Sequence, residues 1–168
     1  MHCPACGHDN IPGDDLCSHC GMDLAGLDVK AWGVAADDPL LRARISELPL
    51  KPALTLAGDA TVADAVALMT ERGEGCVFVI DELDRLAGVV TERDVALRVA
   101  SRGLAPEAVL LERVMTPDPF AVLAGDQLAF VLHRMGVDGF RHVPVVDEER
   151  RLSGFLSIRT VLGTLVEM

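Results

Sequence analysis

The chain has 168 residues, half of them apolar, and a formal net charge of −11 at pH 7. This length suffices for one domain core with a small additional segment, and the negative charge disfavours binding to nucleic acid or to an anionic membrane. No apolar run approaches the roughly 18 residues that span a bilayer, and no basic stretch precedes an apolar one at the N-terminus, so we expect a cytoplasmic protein.

Two Cys-X-X-Cys pairs lie in the first 26 residues, Cys3 with Cys6 and Cys17 with Cys20. A glycine follows each pair, and its conformational freedom permits the tight turn that directs backbone N–H groups at the sulfurs. Two such pairs place four thiolates at the corners of a tetrahedron, which suits Zn²⁺. The spacing is similar to that of a zinc ribbon over residues 1–26; disulfide bonds and a rubredoxin-like iron site are the alternatives.

The predicted ribbon is too short to bury a core, so the metal would fold it. Seven aspartates and a single basic residue, Lys30, lie in the first 40 residues. Binding to a phosphate backbone is therefore disfavoured, and we expect the ribbon to contact an unidentified protein partner or to stabilise a dimer. Residues 27–48 are predicted to form a linker with a short helix that begins at Pro39, and Trp32 is expected to dock the ribbon or the linker.

The sequence of residues 49–113 predicts strands that alternate with helices, as in a small α/β unit. Thr61 is predicted to cap a helix that ends at Arg72. The apolar run Cys76–Ile80 is typical of a strand buried on both faces, with Cys76 as a small buried apolar residue. The other predicted elements of this unit are strands Ala53–Leu56 and Leu86–Val90, a helix after Thr91 and a linking helix Pro106–Arg113.

Residues 114–168 repeat this order at an offset of 66 residues, which matches Gly88 to Gly154 and Arg93 to Arg159. Two copies indicate a paired module rather than a solenoid. The predicted elements of the second unit are strand Phe120–Leu123, helix Asp126–Met135, strands His142–Val146 and Leu152–Leu156, and helix Ser157–Val166.

Three motifs lie within the repeat: Gly-Val-Val-Thr-Glu-Arg-Asp at 88–94, Val-Met-Thr-Pro at 114–117 and Arg-His-Val-Pro-Val-Val-Asp at 141–147. Together they resemble a pair of cystathionine β-synthase (CBS) domains over residues 49–168. The resemblance implies an α/β (α+β) fold of two pseudo-symmetric β-α-β-β-α units. It also implies a regulatory, non-catalytic protein that binds an adenosine-containing ligand in the cleft between its halves.

Thr91 and Asp94 lie where the strand Leu86–Val90 passes into a helix. The conservative interpretation is a capping box, in which both side chains satisfy backbone N–H groups. A helix N-terminus also favours phosphate, and a carboxylate in its first turn can bind a ribose diol. The resemblance favours a nucleotide site with its ribose on Asp94.

The second half offers different groups at the matching positions. Ser157 is present, but Thr160 replaces the carboxylate and accepts fewer charged hydrogen bonds, so we expect one good ribose site and a weak second one. Arg141 and Arg159 can donate to phosphate oxygens, with solvated surface arginines as the alternative. The base is expected near Thr55, Val77 and Phe78, and the weaker site would use His142, Val143, Pro144, Ser157 and Thr160.

No nucleophile, base and orienting group occur at a recognisable spacing, and no phosphate-binding P-loop is present, so we do not expect an enzyme. We expect an adenine-nucleotide sensor, with AMP, ADP, ATP, S-adenosylmethionine, a dinucleotide and a cyclic dinucleotide all compatible. The alternative is a ligand-free structural adaptor that presents the ribbon to a partner. A homodimer through the CBS helices is expected, with outward-facing candidates Ala63, Ala67, Leu128, Ala129 and Leu132.

Overall fold

The computed structural model describes residues 3, 5–10, 16–22 and 42–161. The chain forms two compact units. The first, called the sheet unit here, comprises Leu50–Leu123 and His142–Ser157, and it contains both β-sheets. The second, called the ribbon unit, comprises Met1–Pro49, Ala124–Arg141 and Ile158–Met168.

The first repeat follows the predicted alternation of strands and helices. Its strands are β1 (Thr55–Ala57), β2 (Cys76–Ile80) and β3 (Leu86–Thr91), and their sheet is completed by β4 (Thr116–Pro117) from the start of the second repeat. Its helices are α1 (Val62–Arg72), α2 (Glu92–Asp94, continued by a π-helical turn Val95–Val99 and a 3₁₀ turn Ala100–Arg102), a 3₁₀ turn (Pro106–Ala108) and α3 (Leu111–Val114).

The second repeat contains β5 (Val122–Leu123), α4 (Leu128–Asp138), β6 (His142–Val146) and β7 (Leu152–Ser157). Residues 158–161 are helical. A left-handed glycine, Gly73 or Gly139, ends α1 and α4 at matching places of the two repeats, because only glycine adopts that conformation without a Cβ penalty.

The second sheet repeats the arrangement of the first three strands of the first sheet. In the first, β1 is parallel to β2, and β2 and β4 flank β3 in antiparallel pairs. In the second, β5 is parallel to β6, which pairs with β7 in the antiparallel direction. The prediction of an α+β fold built from two similar units is confirmed.

Two apolar clusters stabilise the sheet unit. One packs the buried face of α1 (Val62, Ala65 and Met69) on Val77 and Val90 of the first sheet. The other joins the two sheets through a pair of rings and contains Cys76, which is buried as predicted. The members that join the sheets are Phe78 and Phe155, whose ring centroids lie 5.5 Å apart.

The prediction of one linking helix over Pro106–Arg113 is wrong. The Val62 amide donates to the Val109 carbonyl at 2.8 Å, and the Leu111 amide donates to the Ala60 carbonyl at 2.9 Å. These bonds draw the segment into an extended pairing with the start of α1, so the helical hydrogen bonds cannot continue through it. Leu128 also differs from expectation, because it is fully buried rather than directed outwards.

Some predictions fall on other parts of the chain. Trp32, the predicted helix start at Pro39 and residues 162–166 of the last predicted helix lie outside the described residues. Within the predicted linker helix, Ile45–Glu47 form a 3₁₀ turn. No helix among the described residues is both long enough and apolar enough to cross a membrane.

Candidate ligand and metal sites

The predicted capping box at the start of α2 is formed. The Thr91 amide and hydroxyl donate to Asp94 Oδ2 at 2.9 and 2.6 Å, and the Asp94 amide donates to Thr91 Oγ1 at 3.3 Å. Thr91 is also the last residue of β3 and pairs with Cys76, so the strand delivers its hydroxyl directly to the helix N-terminus. The box leaves Asp94 Oδ1 outside these three hydrogen bonds.

A second capping box of the same geometry begins α1. The Thr61 amide and hydroxyl donate to Asp64 Oδ2 at 2.9 and 2.6 Å. These two hydrogen bonds hold the pKa of Asp64 below its usual value, and the bond from the Thr61 hydroxyl has the larger effect. The surroundings differ, since Asp64 is exposed whereas the Asp94 side chain is only 14% exposed. Burial and neighbours, rather than the capping motif, distinguish Asp94.

Arg98 is the charged neighbour of Asp94. Its Nε lies 3.4 Å from Asp94 Oδ1, in an ion pair at i,i+4 spacing. One Nη of the same guanidinium donates to the carbonyls of Val114 and Met115 at 2.5 and 3.1 Å. Sequence analysis missed this residue, although the i,i+4 spacing from Asp94 is a signal that points to it.

The residues expected around the base lie on adjacent strands. Thr55 is opposite Phe78 in the parallel β1–β2 pair. Thr55 is exposed, but the side chains of Val77 and Phe78 are fully buried, one against α1 and the other between the sheets. A ligand at this place could therefore contact the Thr55 side chain, but only the backbone groups of Val77 and Phe78.

The strand residues of the second half lie together in the sheet unit. His142 pairs with Ser157, the last residue of β7, as Cys76 pairs with Thr91 in the first sheet. Val143, Pro144 and Ser157 are buried, and His142 is half-buried.

The other second-half residues belong to the ribbon unit. Arg141 and Arg159 are exposed, and Thr160 is half-buried. The Arg141 carbonyl accepts a hydrogen bond of 2.9 Å from the Ile158 amide, which fixes the start of the final helix beside it. The contact of the Arg141 and Arg159 side chains with a phosphate group stays a prediction.

The four N-terminal cysteines converge, with all four Sγ atoms within 4.8 Å of one another. Cys3 and Cys17 are buried, Cys6 and Cys20 are exposed, and all four thiols are free. The Sγ–Sγ distance is 3.6 Å for Cys3–Cys20 and 3.7 Å for Cys6–Cys17. Zinc–sulfur bonds of about 2.3 Å place tetrahedral sulfurs about 3.8 Å apart, so the cluster fits that metal.

The backbone of each Cys-X-X-Cys pair turns as the glycines predict. Gly7 and Gly21 have φ of 72° and 71°, and their amides donate to the carbonyls of Cys3 and Cys17 at 2.8 Å. Burial opposes ionisation of the Cys17 thiol, but hydrogen bonds from the amides of the following turn outweigh it and lower its pKa to about 6.

Asn10 links the two turns, a role that sequence analysis missed. Its Nδ2 donates to the His8 carbonyl at 3.0 Å, and its Oδ1 accepts from the Ser18 amide at 3.0 Å. Asn10 is buried, so both groups of this amide are satisfied inside the ribbon.

The ribbon packs on α4 inside the ribbon unit. Cys3, Cys17 and Met22 form a buried cluster, and Phe130 of α4 packs against it. A cavity of about 550 Å³ lies beside this contact. The residues that line it include Cys6, Cys20, Met22, Phe130, His133 and Arg134.

The model of the CBS domain family matches this chain twice, over residues 45–101 and 111–167. The chain belongs to the CBS domain family. The two matched segments are its two CBS repeats, and the four N-terminal cysteines precede the first of them.

Relatives agree with this assignment. A CBS domain-containing protein of Arabidopsis thaliana is 38% identical over 103 residues, which are 61% of this chain and 19% of that protein. This chain therefore spans about a fifth of that relative. The solved structure of a CBS-domain containing protein from Agrobacterium tumefaciens is 28% identical, has a TM-score of 0.62 and is matched over 68% of this chain and 90% of that one.

A CBS domain protein from Pyrobaculum aerophilum, solved in complex with AMP, is 27% identical to this chain. The TM-score is 0.66, and the match covers 75% of this chain and 100% of that one. The remaining quarter of this chain lies outside that match.

Proposed function

We propose that this protein is a non-catalytic regulatory sensor whose CBS pair binds an adenosine-containing nucleotide with the ribose on Asp94. The observation that carries the proposal is the partly buried Asp94 carboxylate at a helix N-terminus, with Oδ1 outside the capping box. The AMP complex of the Pyrobaculum aerophilum protein supports adenosine as the ligand class.

The other binding residues take the roles expected of them. Arg141 and Arg159 carry fixed positive charge and bind the phosphate groups. The base lies by Thr55 and the backbone of Val77 and Phe78. A second, weaker site would use His142, Val143, Pro144 and Ser157, and its weakness follows from Thr160, which lacks a carboxylate.

A ligand screen tests this function. AMP, ADP, ATP and S-adenosylmethionine would each be added to purified protein, and the unfolding temperature and the heat of binding would be measured. A ligand at 100 times its dissociation constant adds about 2.7 kcal/mol to the free energy of unfolding. We expect at least one of the four to do so, with one tight site per chain. If none binds, the structural adaptor becomes the better explanation.

The cysteine cluster holds Zn²⁺ in this proposal and folds a ribbon that makes protein contacts. The Sγ distances match a tetrahedral zinc site, and two of the four thiols are buried where a dication would offset their charge. When bound, zinc would supply structure rather than chemistry, because four thiolates fill its coordination shell.

Elemental analysis tests the metal. We expect about one zinc per chain in the purified protein and none after Cys17→Ser, because a structural site needs all its ligands. Cys76→Ser is the matched control and should keep its zinc, since Cys76 lies in the sheet unit. Iron with a visible absorption band would contradict the zinc assignment.

A further inference from the structure

Arg98 joins the Asp94 carboxylate to residues 111–118, which lie at the start of the second CBS repeat and are called the connecting segment here. Nε faces Asp94 Oδ1 at 3.4 Å, while one Nη donates to both the Val114 and the Met115 carbonyl. These carbonyls lie at the C-terminal end of α3, where a helix leaves its last carbonyls without internal partners. The Arg98 guanidinium therefore contacts both the proposed ribose-binding carboxylate of Asp94 and the backbone of the connecting segment.

The connecting segment is held tightly where Arg98 meets it. Directly after Met115, strand β4 pairs with β3, with Thr116 opposite Val89. Met115 Sδ fills the space over Gly88, so closely that a Cβ there would collide with it. Met115 packs too closely on Gly88 to move independently of its neighbours. A shift of the Met115 carbonyl therefore displaces either β4, at the edge of the first sheet, or the residues that follow it in the second repeat.

We infer that Arg98 is a positioning residue that transmits occupation of Asp94 to the connecting segment. The inference rests on the proposed function, since it requires a ligand hydroxyl at Asp94. Thr91 holds Oδ2, so that hydroxyl bonds at Oδ1, which is the oxygen facing Arg98. The 3.4 Å separation exceeds the roughly 2.7–2.9 Å of a tight charged hydrogen bond, so this ion pair has room to close or open.

The shape of the guanidinium makes the transmission direct. It is planar and rigid, so a displacement of Nε is accompanied by a displacement of Nη. A ligand hydroxyl on Asp94 Oδ1 changes the Nε–Oδ1 distance, and the two carbonyls then follow Nη. Lysine carries the same charge on a single nitrogen and cannot hold Asp94 and both carbonyls in this geometry.

Three variants and two measurements test the inference, with AMP as the probe. Arg98→Met removes the charge and the donors but keeps an unbranched apolar stem that reaches as far as the Nε position. Arg98→Lys restores the charge alone. Arg102→Met is the matched control, because Arg102 is an exposed arginine one turn further along the same helical segment. Calorimetry gives AMP affinity, and hydrogen exchange by mass spectrometry gives the protection of residues 111–118 with and without saturating AMP.

We expect saturating AMP to change the exchange rate of residues 111–118 by about fivefold or more in the wild type and in Arg102→Met, which is the low end of typical coupling between sites. In Arg98→Met the affinity should change by no more than about fivefold, as for a partly exposed ion pair, while the AMP-dependent change in exchange is lost. Arg98→Lys should restore the affinity without restoring the change in exchange.

Two results would overturn the inference while leaving the nucleotide function intact. One is wild-type protein that binds AMP without any change at residues 111–118. The other is an AMP-dependent change in Arg98→Met, or in Arg98→Lys should the former not fold, that equals the wild-type change. Absence of AMP binding to the wild type is a separate outcome of the calorimetry; it would overturn the proposed AMP site and the transmission together.

Discussion

Asp94 serves two purposes through its two oxygens. Oδ2 completes the capping box with Thr91, and Oδ1 faces Arg98 and the proposed ribose. Because removal of a cap alone costs about 1 kcal/mol of stability, a loss of binding in an Asp94 variant has to be separated from simple destabilisation. The twin box at Thr61 and Asp64 provides that separation, since its hydrogen bonds have the same lengths.

Asp94→Asn should therefore weaken nucleotide binding much more than Asp64→Asn does. Hydrogen bonds to a charged group contribute on the order of 1.5–3 kcal/mol each, and 1.4 kcal/mol corresponds to about tenfold in affinity. We expect at least about a tenfold loss of AMP affinity for Asp94→Asn and little change for Asp64→Asn or Thr160→Ala. Calorimetric titration of the four proteins checks this, and equal affinity for wild type and Asp94→Asn would contradict the ribose assignment.

Cys76 should behave differently from the four ribbon thiols. It is 1% exposed, and burial followed by the charge of Glu74 raises its pKa to about 12. At pH 8 only about one Cys76 in ten thousand is then a thiolate, which is the reactive form. A chelator removes the metal that folds the ribbon and so exposes all four of its thiols, including the buried Cys3 and Cys17, whereas Cys76 stays covered in the sheet unit. In chelator-treated protein, a disulfide reagent should therefore modify four thiols rapidly and the fifth only after denaturant is added.

The matched control for this count is Cys76→Ser, which should lose only the slow thiol. Five thiols that react at one rate in the native protein would mean that β2 does not shield Cys76.

At the scale of the elements, local patterns predicted most of the strands and the capped helix starts. Strands Cys76–Ile80 and His142–Val146 have the predicted bounds, because a short apolar run between polar residues needs no distant information. The Thr91–Asp94 box was likewise visible as a motif. The break at Val109 and strand β4 were not, because both depend on backbone pairing with residues far away in sequence.

The candidate sites likewise contain some features that the sequence predicts and others that it does not. The cysteine cluster follows from spacing, whereas the contacts of Arg98 and the packing of Phe130 require the folded chain. No periodicity places an arginine side chain on two carbonyls 16 and 17 residues further along.

Because Phe130 packs on the cysteine cluster, we predict that loss of the metal makes α4 exchange its amide hydrogens faster. A chelator should speed hydrogen exchange of α4 in the wild type, because the apolar cluster that covers Phe130 depends on the folded ribbon. In Phe130→Ala this contact is already gone, so exchange of α4 should be faster from the start and insensitive to the chelator.

Val137→Ala is the control for that experiment, since Val137 lies on α4 and is 65% exposed. It should respond to the chelator as the wild type does. Exchange of α4 that is unchanged by metal removal in all three proteins would mean that the ribbon folds and unfolds independently of the second repeat.

At the scale of the whole molecule, the proposed metal ligands and the proposed ribose-binding carboxylate belong to different units. The cysteines and α4 belong to the ribbon unit, whereas Asp94 and both sheets belong to the sheet unit. Both α1 and α4 also carry side chains that are not fully buried, among them Ala63, Ala67, Ala129 and Leu132. Small residues four apart on a helix, such as Ala63 and Ala67, allow a second helix to approach closely.

A homodimer through these helices is the last prediction. A two-fold interface uses the same patch on both chains, so one substitution alters it twice. Ala67→Arg should therefore give a monomer in light scattering, because it places two like charges at the interface. Leu83→Arg is the control, since Leu83 is 61% exposed in the turn between β2 and β3, and it should remain dimeric.

Chelator should not change the mass of the wild type, because the predicted interface does not include the cysteines. A wild-type chain that is monomeric at every concentration tested would contradict the dimer, and a mass that halves on metal removal would place the ribbon in the interface.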